Sequence, residues 1–442
     1  MMKIIIAGAG KVGFELARSL SDDHQVTVID QNAEALGRLQ ELIDIFPVHG
    51  NIENPLTYAA LLDTHIDVFI AVSDSDEANL ISTLLIDDHI EVEKKIIRLR
   101  NSYFTESQTL SSFGNLERVF PFQLAAEKIR ALLKHPEANN VKSFAKARSQ
   151  LVSIKVDNPK HEEKQVAQFE NERIKIVGIE REKQFFVPNT EEFIRHNDLL
   201  YFLGDGTILE NLYGELDLHM PAKIKNAVIF GAKTLGVEIA KVLIDEGVNV
   251  KLVEKDITHC KNASEILQEK ALIINSSYDE GILYEEENLI SADMAIMASA
   301  QDESNIIRAL QAKEYDIPKV VAINNDPKYY ALMHQLGIIV ARGPRISAYY
   351  VILESLSAQG TIETKHFCGG KGILLYRKIR SLCSLIGQSI GKVYQGDGTL
   401  LIEHQGDLSV ATPETILGEE DTLFLVTTIE REKEAYQWIS SL

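Results

Sequence analysis

The stretch from Lys3 to Gly13 reads KIIIAGAGKVG, and the stretch from Asn226 to Gly236 reads NAVIFGAKTLG. Each stretch joins an apolar run to a glycine turn and continues into a segment of helical periodicity. A buried strand that ends in such a turn and enters a helix is typical of the first unit of a dinucleotide-binding α/β fold. The sequence therefore predicts this unit twice.

The two stretches belong to a longer repeat. Gly8 and Gly231 stand 223 residues apart, and DVFIAVSDSDEAN at 67–79 resembles DMAIMASAQDESN at 293–305. Two further pairs of segments, one beginning at Pro121 and Pro344 and one at 197–203 and 420–426, repeat with the same offset of 223. Self-similarity over the whole length indicates a tandem duplication.

The first part of each copy alternates apolar runs with helical stretches. In the first copy the predicted strands are 3–7, 25–30, 67–72 and 95–99, and the predicted helices are 12–20, 33–42 and 77–87. Strands that alternate with helices of this length form parallel sheets. The apolar runs show little polar alternation, which favours strands that are buried on both faces.

The pattern of predicted secondary structure changes after Leu151. Short strands are predicted at 151–156, 174–179, 185–187 and 199–203, with one brief helix around 166–170 and a counterpart module from Gly372 to Thr428. The predicted fold class is α/β, with tandem duplicated Rossmann-like parallel-sheet domains, each followed by a small α+β C-terminal module. The predicted domains are 1–136, 137–219, 223–358 and 359–442, and the boundary between the halves falls at 220–222.

Composition excludes several classes of function. The 442 residues carry 65 Asp plus Glu against 45 Lys plus Arg, a formal net charge of −20. Nucleic-acid binding depends on clustered basic residues, so we expect no nucleic-acid partner. Three cysteines form no CxxC pair, and no apolar run has a signal peptide's or membrane span's length. We therefore expect a soluble cytoplasmic protein.

The first turn has the residues that a dinucleotide site requires. Gly8 permits the tight turn, Gly10 lets a pyrophosphate approach the backbone, and Gly13 allows the helix to pack closely on the strand. Asp30 follows Gly8 by 22 residues, where an acid accepts hydrogen bonds from a ribose. Gln31 and Asn32 follow Asp30 directly, with no arginine there to bind a 2′-phosphate, which favours NAD(H) over NADP(H). The alternative is that the glycines only close the turn.

The end of the strand near residue 72 lies at the same predicted sheet edge. Ser73 and Asp74 would stand beside the cofactor, and the residues after them, Asp76, Glu77 and Asn79, either contact the nucleotide or cap the next helix, with Asp74 or Ser75 as its N-cap. Arg98 and Arg100 flank a later strand end. One of these arginines could meet a phosphate, and a surface salt bridge is an equally good interpretation.

The second turn departs from the pattern at Lys233, which stands where the middle glycine would be. Its side chain would crowd an approaching pyrophosphate. Glu254 replaces the acid, and Ala322 and Asn324 stand where the two arginines were. Three interpretations stay open: a weaker NAD(H) site, a site for another adenine nucleotide such as ATP or ADP, and a structural turn. We favour an impaired site.

The sequence offers no catalytic cluster. Twelve histidines occur without an HExxH spacing, and neither a Gly-x-Ser-x-Gly elbow nor a Gly-x-x-x-x-Gly-Lys-Ser/Thr loop is present. His49 is better explained as a loop residue than as a general base. No separate domain could present a substrate to a nicotinamide. We therefore assign no catalytic and no metal-binding residues and expect a sensor, with an NAD-dependent oxidoreductase that has a duplicated cofactor domain as the alternative.

These motifs resemble the TrkA family, the cytoplasmic nucleotide-binding subunits of bacterial potassium uptake systems. The resemblance rests on the tandem plan, the turn GAGKVG with Asp30, the patch at 73–79, Arg98-Leu-Arg100 and the Pro121 segment. It implies that each half is a regulator-of-conductance-of-potassium (RCK) unit, the Rossmann-like domain being its N-terminal part. The nucleotide-binding residues that it implies are Gly8, Ala9, Gly10, Lys11, Val12, Asp30, Ser73, Asp74 and Arg98, with Gly231, Ala232, Lys233, Thr234, Leu235 and Glu254 in the second half.

The same resemblance implies the partners. A homo-oligomer, two duplicated chains forming a ring of four units, would dock on the inner face of an integral membrane potassium-translocating subunit of the TrkH or TrkG kind. The chain would then be cytoplasmic and peripherally attached to the membrane through that partner. Bound nucleotide would change the angle between the halves and thereby alter gating.

Overall fold

The computed structural model describes residues 1–441 with the exception of 60, 62–64, 103, 105–114, 135–139, 145–146, 157, 183, 217–222, 278–281, 357–361, 369–370, 380–385, 392–393 and 395. The predicted boundary at 220–222 lies outside the described residues.

The first half opens with a six-stranded parallel sheet. Its strands are β1 (Lys3–Ala7), β2 (Gln25–Asp30), β3 (Phe46–His49), β4 (His65–Ala71), β5 (Glu91–Arg98) and β6 (Leu116–Val119). Its helices are α1 (Lys11–Leu20), α2 (Ala33–Leu42), α3 (Pro55–Ala59), α4 (Asp76–Asp87) and α5 (Pro121–Lys134). The strand order is β3-β2-β1-β4-β5-β6, so the chain reverses direction across the sheet at β1. Ligands of such sheets bind beside that reversal, at the carboxyl ends of the strands.

A smaller antiparallel sheet follows. It contains β7 (Asn140–Ser143), β8 (Ser149–Lys155), β9 (Ile174–Arg181), β10 (Gln184–Phe186) and β11 (Leu199–Asp205), in the order β10-β9-β11-β8-β7. The helix α6 (Gly206–Leu216) packs on it through Leu209 and Leu216.

The second half repeats both sheets with the same strand orders. Its parallel strands are β12 (Asn226–Phe230), β13 (Asn249–Glu254), β14 (Ala271–Asn275), β15 (Met294–Met297), β16 (Lys319–Asn324) and β17 (Ile339–Arg342). Its helices are α7 (Thr234–Asp245), α8 (Ile257–Leu267), α9 (Ile282–Glu286), α10 (Asp302–Glu314), α11 (Tyr330–Gln335) and α12 (Pro344–Leu356). The antiparallel strands are β18 (Glu363–Phe367), β19 (Gly372–Lys378), β20 (Gly398–His404), β21 (Asp407–Val410) and β22 (Thr422–Thr428), followed by α13 (Glu432–Ser441).

The predicted fold class is confirmed: two Rossmann-like parallel sheets alternate with two small antiparallel modules. The predicted strands 3–7 and 25–30 and the helix 33–42 have the observed bounds, and the other predicted elements differ by a few residues at their ends. In the first half, the sequence prediction did not include the edge strands β3, β6 and β7 or the helices α3, α5 and α6. The brief helix predicted around 166–170 is a 3₁₀ turn at Val166–Phe169.

The two halves exchange a helix. On α5, Ala125, Ile129 and Leu132 are buried in the core of the second parallel sheet. On α12, Ile352 and Leu356 are buried in the core of the first. Each parallel-sheet core is therefore completed by a helix from the other half of the chain.

Two lysines at equivalent places hold the ends of the exchanged helices. Lys94 Nζ on β5 donates to the carbonyl oxygen of Ser355 in α12 at 2.6 Å. Lys319 Nζ on β16 donates to the carbonyl oxygen of Leu132 in α5 at 3.3 Å. The last carbonyls of a helix lack partners within the helix and carry a partial negative charge, so a cation there is stabilising.

The two small modules also pack against each other. Their sheets share one apolar cluster, in which the rings of Tyr201 and Phe367 lie 4.8 Å apart and those of Phe144 and Phe424 lie 5.1 Å apart. Among the described residues, none of the helices has the length and apolar composition needed to cross a bilayer.

Candidate functional site

The glycine turn of the first half lies where the sheet reverses direction. Gly8 has φ +115°, a region that side chains rarely adopt, and a Cβ there would meet the backbone nitrogen of Ser73 at 3.0 Å. A Cβ on Gly13 would meet the carbonyl oxygen of Gly8 at 1.9 Å. Both glycines are therefore required by the approach of the backbone. A Cβ on Gly10 would meet nothing within 4 Å, so this position opens to the space above the turn.

The helix after the turn begins without a side-chain cap. Gly10 is the N-cap of α1, and no side chain bonds the first amides of this helix, whereas Asn32 caps α2 and Ser75 caps α4. The first N–H groups of Lys11 and Val12 are thus available at the positive end of a helix dipole. This is an arrangement that suits the phosphates of a nucleotide.

Asp30 ends β2 beside the turn. Its Oδ2 accepts from the N–H of Ala9 at 2.6 Å, and its Oδ1 accepts from the N–H of Asn32 at 2.8 Å. Each carboxylate oxygen has two acceptor positions, so one on each remains for a ribose hydroxyl. The carboxylate is half-buried, which leaves it accessible to a ligand.

The loop at the carboxyl end of β4 is held by Asn79. Its Oδ1 accepts from the N–H of Ser73 at 2.8 Å, and its Nδ2 donates to the carbonyl oxygens of Ser73 and Arg98 at 3.0 and 2.9 Å. Asn79 is fully buried. It therefore fixes the strand ends, and Ser75, not Asp74, caps α4, with Glu77 bonded to the Ser75 hydroxyl.

Arg98 is a buried cation at this edge. Its Nη1 donates to Asp74 Oδ1 at 3.2 Å, while its buried Nε has no hydrogen-bond partner within the described part of the chain. Burial lowers the pKa of Arg98, and Asp74 opposes that shift. A buried cation with an incomplete set of partners is suited to an anionic ligand.

Asp76 has a structural role. Its carboxylate accepts from the N–H groups of Arg100 and Asn101 at 2.7 and 3.0 Å, which joins the start of α4 to the chain after β5. Outside this region, His49 bonds the carbonyl oxygen of Gln31 at 3.0 Å, which agrees with the loop role expected for it.

The second half reproduces the turn with a different environment. Gly231 again has φ +115°, and a Cβ on Gly236 would meet the carbonyl oxygen of Gly231 at 1.8 Å. Lys233 is the N-cap of α7 with φ −72°, an ordinary extended conformation close to that of Gly10, and no side chain caps this helix. Replacement of the middle glycine by lysine therefore introduces no backbone strain.

Glu254 is more completely occupied than Asp30. Its Oε2 accepts from the N–H of Ala232 at 2.9 Å, and its Oε1 accepts from those of Lys255 and Asp256 at 2.9 and 3.0 Å. Only 4% of Glu254 is exposed. Three bonds and near-complete burial leave this carboxylate less accessible to a ribose than that of Asp30.

A cavity of about 810 Å³ lies beside the second turn. Ala232, Lys233 and Thr234 of the turn line it, together with the side of α7 and α8. Arg100, Asn101 and Ser102 of the first half form its opposite wall. Leu235 of the predicted site is buried behind the turn and is not part of the lining.

The structure thus brings the predicted first-half residues together at one sheet edge, and does the same for those of the second half. The contribution of residues 100–102 to the second-half cavity was not predicted. It depends on contacts between residues more than 130 positions apart, and a local motif carries no signal of them.

One group of metal-ligand types lies at the opposite edge of the first sheet. His65, Asp67 and Glu93 place one ligand atom each within 4.8 Å of one another. All three side chains are at least partly exposed, and Asp67 also accepts from the N–H of Lys3 at 2.6 Å. This group is distant from the turn, and we assign it no part in the site.

The fold and site define a protein of two interlocked Rossmann-like units, each with a glycine turn and an acid at the carboxyl edge of its sheet. The TrkA-N domain family matches residues 4–114 and again residues 227–343, together just over half of the chain. The chain belongs to this family, and the resemblance noted from its motifs is confirmed.

Two relatives match the chain over nearly its whole length. The chain is 27% identical over 441 residues to the Trk system potassium uptake protein TrkA homolog 2 of Methanosarcina mazei, covering 96% of this chain and 97% of the relative. It is 25% identical over 446 residues to the Trk system potassium uptake protein TrkA of Vibrio alginolyticus, covering 96% of each.

Solved structures show the same fold. The crystal structure of the GsuK RCK domain superposes with a TM-score of 0.59 at 18% identity, covering all of this chain and 95% of that one. The GsuK channel bound to NAD superposes with a TM-score of 0.60 at 19% identity, covering all of this chain and 79% of that one.

Proposed function

We propose that this chain is a regulatory subunit of a potassium uptake system that binds NAD(H) in its first half. The observation that carries the proposal is the geometry of the first turn. The open position at Gly10, the uncapped start of α1, the accessible carboxylate of Asp30 and the buried cation of Arg98 meet at one edge. The glycine turn and the helix start would hold the pyrophosphate, and Asp30 would hold the ribose.

The names of the relatives support the physiological role. Proteins that match this chain over nearly its whole length are named Trk system potassium uptake proteins, and a structural neighbour is a channel bound to NAD. The relatives are named for uptake and not for a reaction, which supports a regulator without catalytic residues.

Gating would follow from the exchange of helices. Because α5 and α12 each complete the other half's core, a nucleotide that shifts a helix against its sheet in one half also moves an element seated in the other. A ligand shifts such an equilibrium only when it binds one arrangement more tightly. We propose that NAD(H) selects one angle between the halves and that a membrane subunit of the TrkH or TrkG kind senses this angle, with the chain attached to the inner face of the membrane through it.

Self-assembly is supported by repeated apolar surface residues. Leu56, Ile81 and Leu84 are exposed on α3 and α4 of the first half. Ile282, Ile307 and Leu310 are exposed at the equivalent places on α9 and α10 of the second. Exposed apolar side chains that recur at the same places mark an interaction surface. We propose that they join two duplicated chains into a ring of four units.

The proposal is tested in two steps. Calorimetry should show NADH binding to the full-length chain, and a deletion strain should grow poorly at low external potassium and recover when potassium is added. The protein should also co-purify with a potassium-translocating membrane protein. Normal uptake in the deletion strain, with no paralogue to substitute, together with turnover of NADH and a substrate would replace this function by that of an oxidoreductase.

A further inference from the structure

Three side chains of metal-ligand type meet at the amino end of the first parallel sheet, at the edge opposite the glycine turn. His65 and Asp67 are two positions apart on β4, so their side chains lie on the same face of the sheet. Glu93 belongs to the neighbouring strand β5, where the register pairs Val68 with Lys94. One position earlier on each strand, Asp67 and Glu93 are therefore neighbours.

The two carboxylates lack a permanent cation. Like charges side by side on neighbouring strands are destabilising unless an opposite charge lies close to both. Neither Asp67 nor Glu93 pairs with a lysine or an arginine in the part of the chain that the structure describes. The group that faces both is the imidazole of His65, whose Nε2 lies 3.4 Å from Glu93 Oε1 and 3.9 Å from Asp67 Oδ1. Within the same part of the chain, Nε2 makes no hydrogen bond with either oxygen.

The second half separates the structural part of this cluster from the rest. Asp67 Oδ2 accepts from the backbone N–H at the start of β1 at 2.6 Å, and its counterpart Asp293 accepts from that at the start of β12 at 2.9 Å. The histidine and the second carboxylate have no counterparts, because Ser291 and Pro318 stand in their places. The repeated sheet therefore needs the aspartate for its own structure, but neither the histidine nor the second carboxylate.

The three ligand atoms have nearly the spacing of a metal site. His65, Asp67 and Glu93 each place one nitrogen or oxygen atom within 4.8 Å of the other two. At zinc–ligand distances of about 2.0–2.2 Å, tetrahedral ligand atoms lie about 3.3–3.6 Å apart. The separations of 3.4 and 3.9 Å from His65 Nε2 reach this range after small rotations of partly exposed side chains. Asp67 keeps Oδ1 for an ion, since its backbone bond uses Oδ2.

We propose that His65, Asp67 and Glu93 bind a divalent transition-metal ion of the Zn²⁺ class. An imidazole nitrogen beside two carboxylates suits zinc, whereas Ca²⁺ and Mg²⁺ are held by oxygen ligands. Three protein ligands leave one position for water. The sequence contained no recognisable metal motif, because Glu93 comes from a different strand than the other two ligands.

A bound ion would have a mechanical effect on the sheet. It would join the start of β4 to β5 and replace the repulsion between two neighbouring carboxylates by attraction to a shared cation. Because the ligands come together only in the folded chain, Zn²⁺ should stabilise the fold in proportion to the logarithm of its concentration. This effect is independent of the proposed nucleotide binding, which takes place at the other end of the strands.

The test is calorimetric titration of zinc chloride into the full-length chain after treatment with a chelator. We expect His65→Ala and Glu93→Gln each to weaken Zn²⁺ binding at one site by ten-fold or more, since loss even of a group that only orients a ligand costs about 10–100-fold. His89→Ala is the matched control, because it removes an exposed histidine outside the cluster. The side chains of His65 and Glu93 are 47% and 64% exposed, so the variants should fold, and thermal melting without metal verifies this.

A second measurement locates the ion. On addition of Zn²⁺, hydrogen exchange should slow at 65–67 and 91–94, and the melting temperature should rise in the unmodified chain and in His89→Ala but much less in His65→Ala. Absence of Zn²⁺ binding to the unmodified chain, an unchanged affinity in both ligand variants, or an equal loss in His89→Ala would overturn the site. Binding of Mg²⁺ at these residues as tightly as Zn²⁺ would overturn the class of metal and with it the proposal.

Discussion

Asp30 and Glu254 occupy equivalent places and allow binding to be separated from structure. Each carboxylate accepts from the N–H of the residue after the first glycine, Ala9 at 2.6 Å and Ala232 at 2.9 Å. Both of these alanines are buried, at 7% and 3% exposure. Removing either acid leaves a buried N–H without its acceptor, which costs about 1–3 kcal/mol of stability. We expect both Asp30→Ala and Glu254→Ala to lower the melting temperature, and Glu254→Ala to lower it more, because Glu254 accepts three N–H groups and is almost fully buried whereas Asp30 accepts two and is half-buried.

Their effects on NADH should differ. Asp30 retains acceptor positions for a ribose, whereas Glu254 accepts three N–H groups and is almost fully buried. Loss of a hydrogen bond to a charged group costs about 1.5–3 kcal/mol, which is roughly a 10- to 150-fold loss of affinity. Asp30→Ala should therefore weaken NADH by at least about ten-fold, and Glu254→Ala should leave the tighter NADH site unchanged.

The assay is calorimetric titration of NADH into the full-length variants, with thermal melting of each without ligand. Asp30→Asn retains an acceptor for Ala9 and is the control for a folding defect. Unchanged NADH affinity in Asp30→Ala would refute the assignment of the first site. A loss in Glu254→Ala as large as in Asp30→Ala would show that the second half is the main NADH site.

Three further predictions concern the exchanged helices, the small modules and the surface. Lys319→Met should lower the melting temperature more than Lys11→Met, because Lys319 is buried and bonds the end of α5 whereas Lys11 is exposed; equal effects would contradict the capping role. Burial lowers the pKa of Lys142 to about 7 and that of Lys365 to about 8. The positive charges of Arg342 and Lys128 lower both pKa values further, whereas the carboxylate of Glu363 opposes the shift at Lys365. Between these pKa values and 10.5, the pKa of an ordinary lysine, the unfolded chain binds more protons than the folded chain, so the free energy of unfolding should rise with pH above 7. Lys142→Met should reduce that rise. A variant whose stability depends on pH in the same way as that of the unmodified chain would refute the prediction. Leu84→Glu combined with Leu310→Glu should reduce the mass measured by light scattering, whereas Val410→Glu, on the exposed strand β21, should not.

The fold was predictable where local pattern decides the structure. The buried strands β1 and β2 are short apolar runs whose bounds follow from composition, and the turn between β1 and α1 needs glycines that only a close backbone approach explains. The edge strand β3, with sequence FPVH, contains a proline and leaves Phe46 exposed, so it lacks the pattern of a buried strand. Edge strands are defined by their neighbours more than by their own sequence.

The geometry of the proposed first site was predictable on the same basis. The spacing from Gly8 to Asp30 identified the acid because both lie within one βαβ unit. From the sequence we expected the Lys233 side chain to crowd a ligand. In the structure Lys233 lines a cavity to which residues of the first half also contribute, and the sequence did not indicate this. Nothing in the sequence near Arg100 indicates its position there, because the contact depends on how two separate sheets are placed.

The exchange of α5 and α12 decides how nucleotide binding has to be studied in this chain. A chain cut near residue 220 would expose Ile129 and Leu132 on α5, while the second sheet would lose the helix that covers it. Burial of a large aliphatic side chain contributes about 1.5–3 kcal/mol, so the separated halves would each lose several such contributions. The second-half cavity would also lose the wall formed by residues 100–102. A nucleotide affinity measured on a separated half would therefore report on a turn whose surroundings differ from those in the intact chain, so the proposed nucleotide binding has to be measured on the full-length chain.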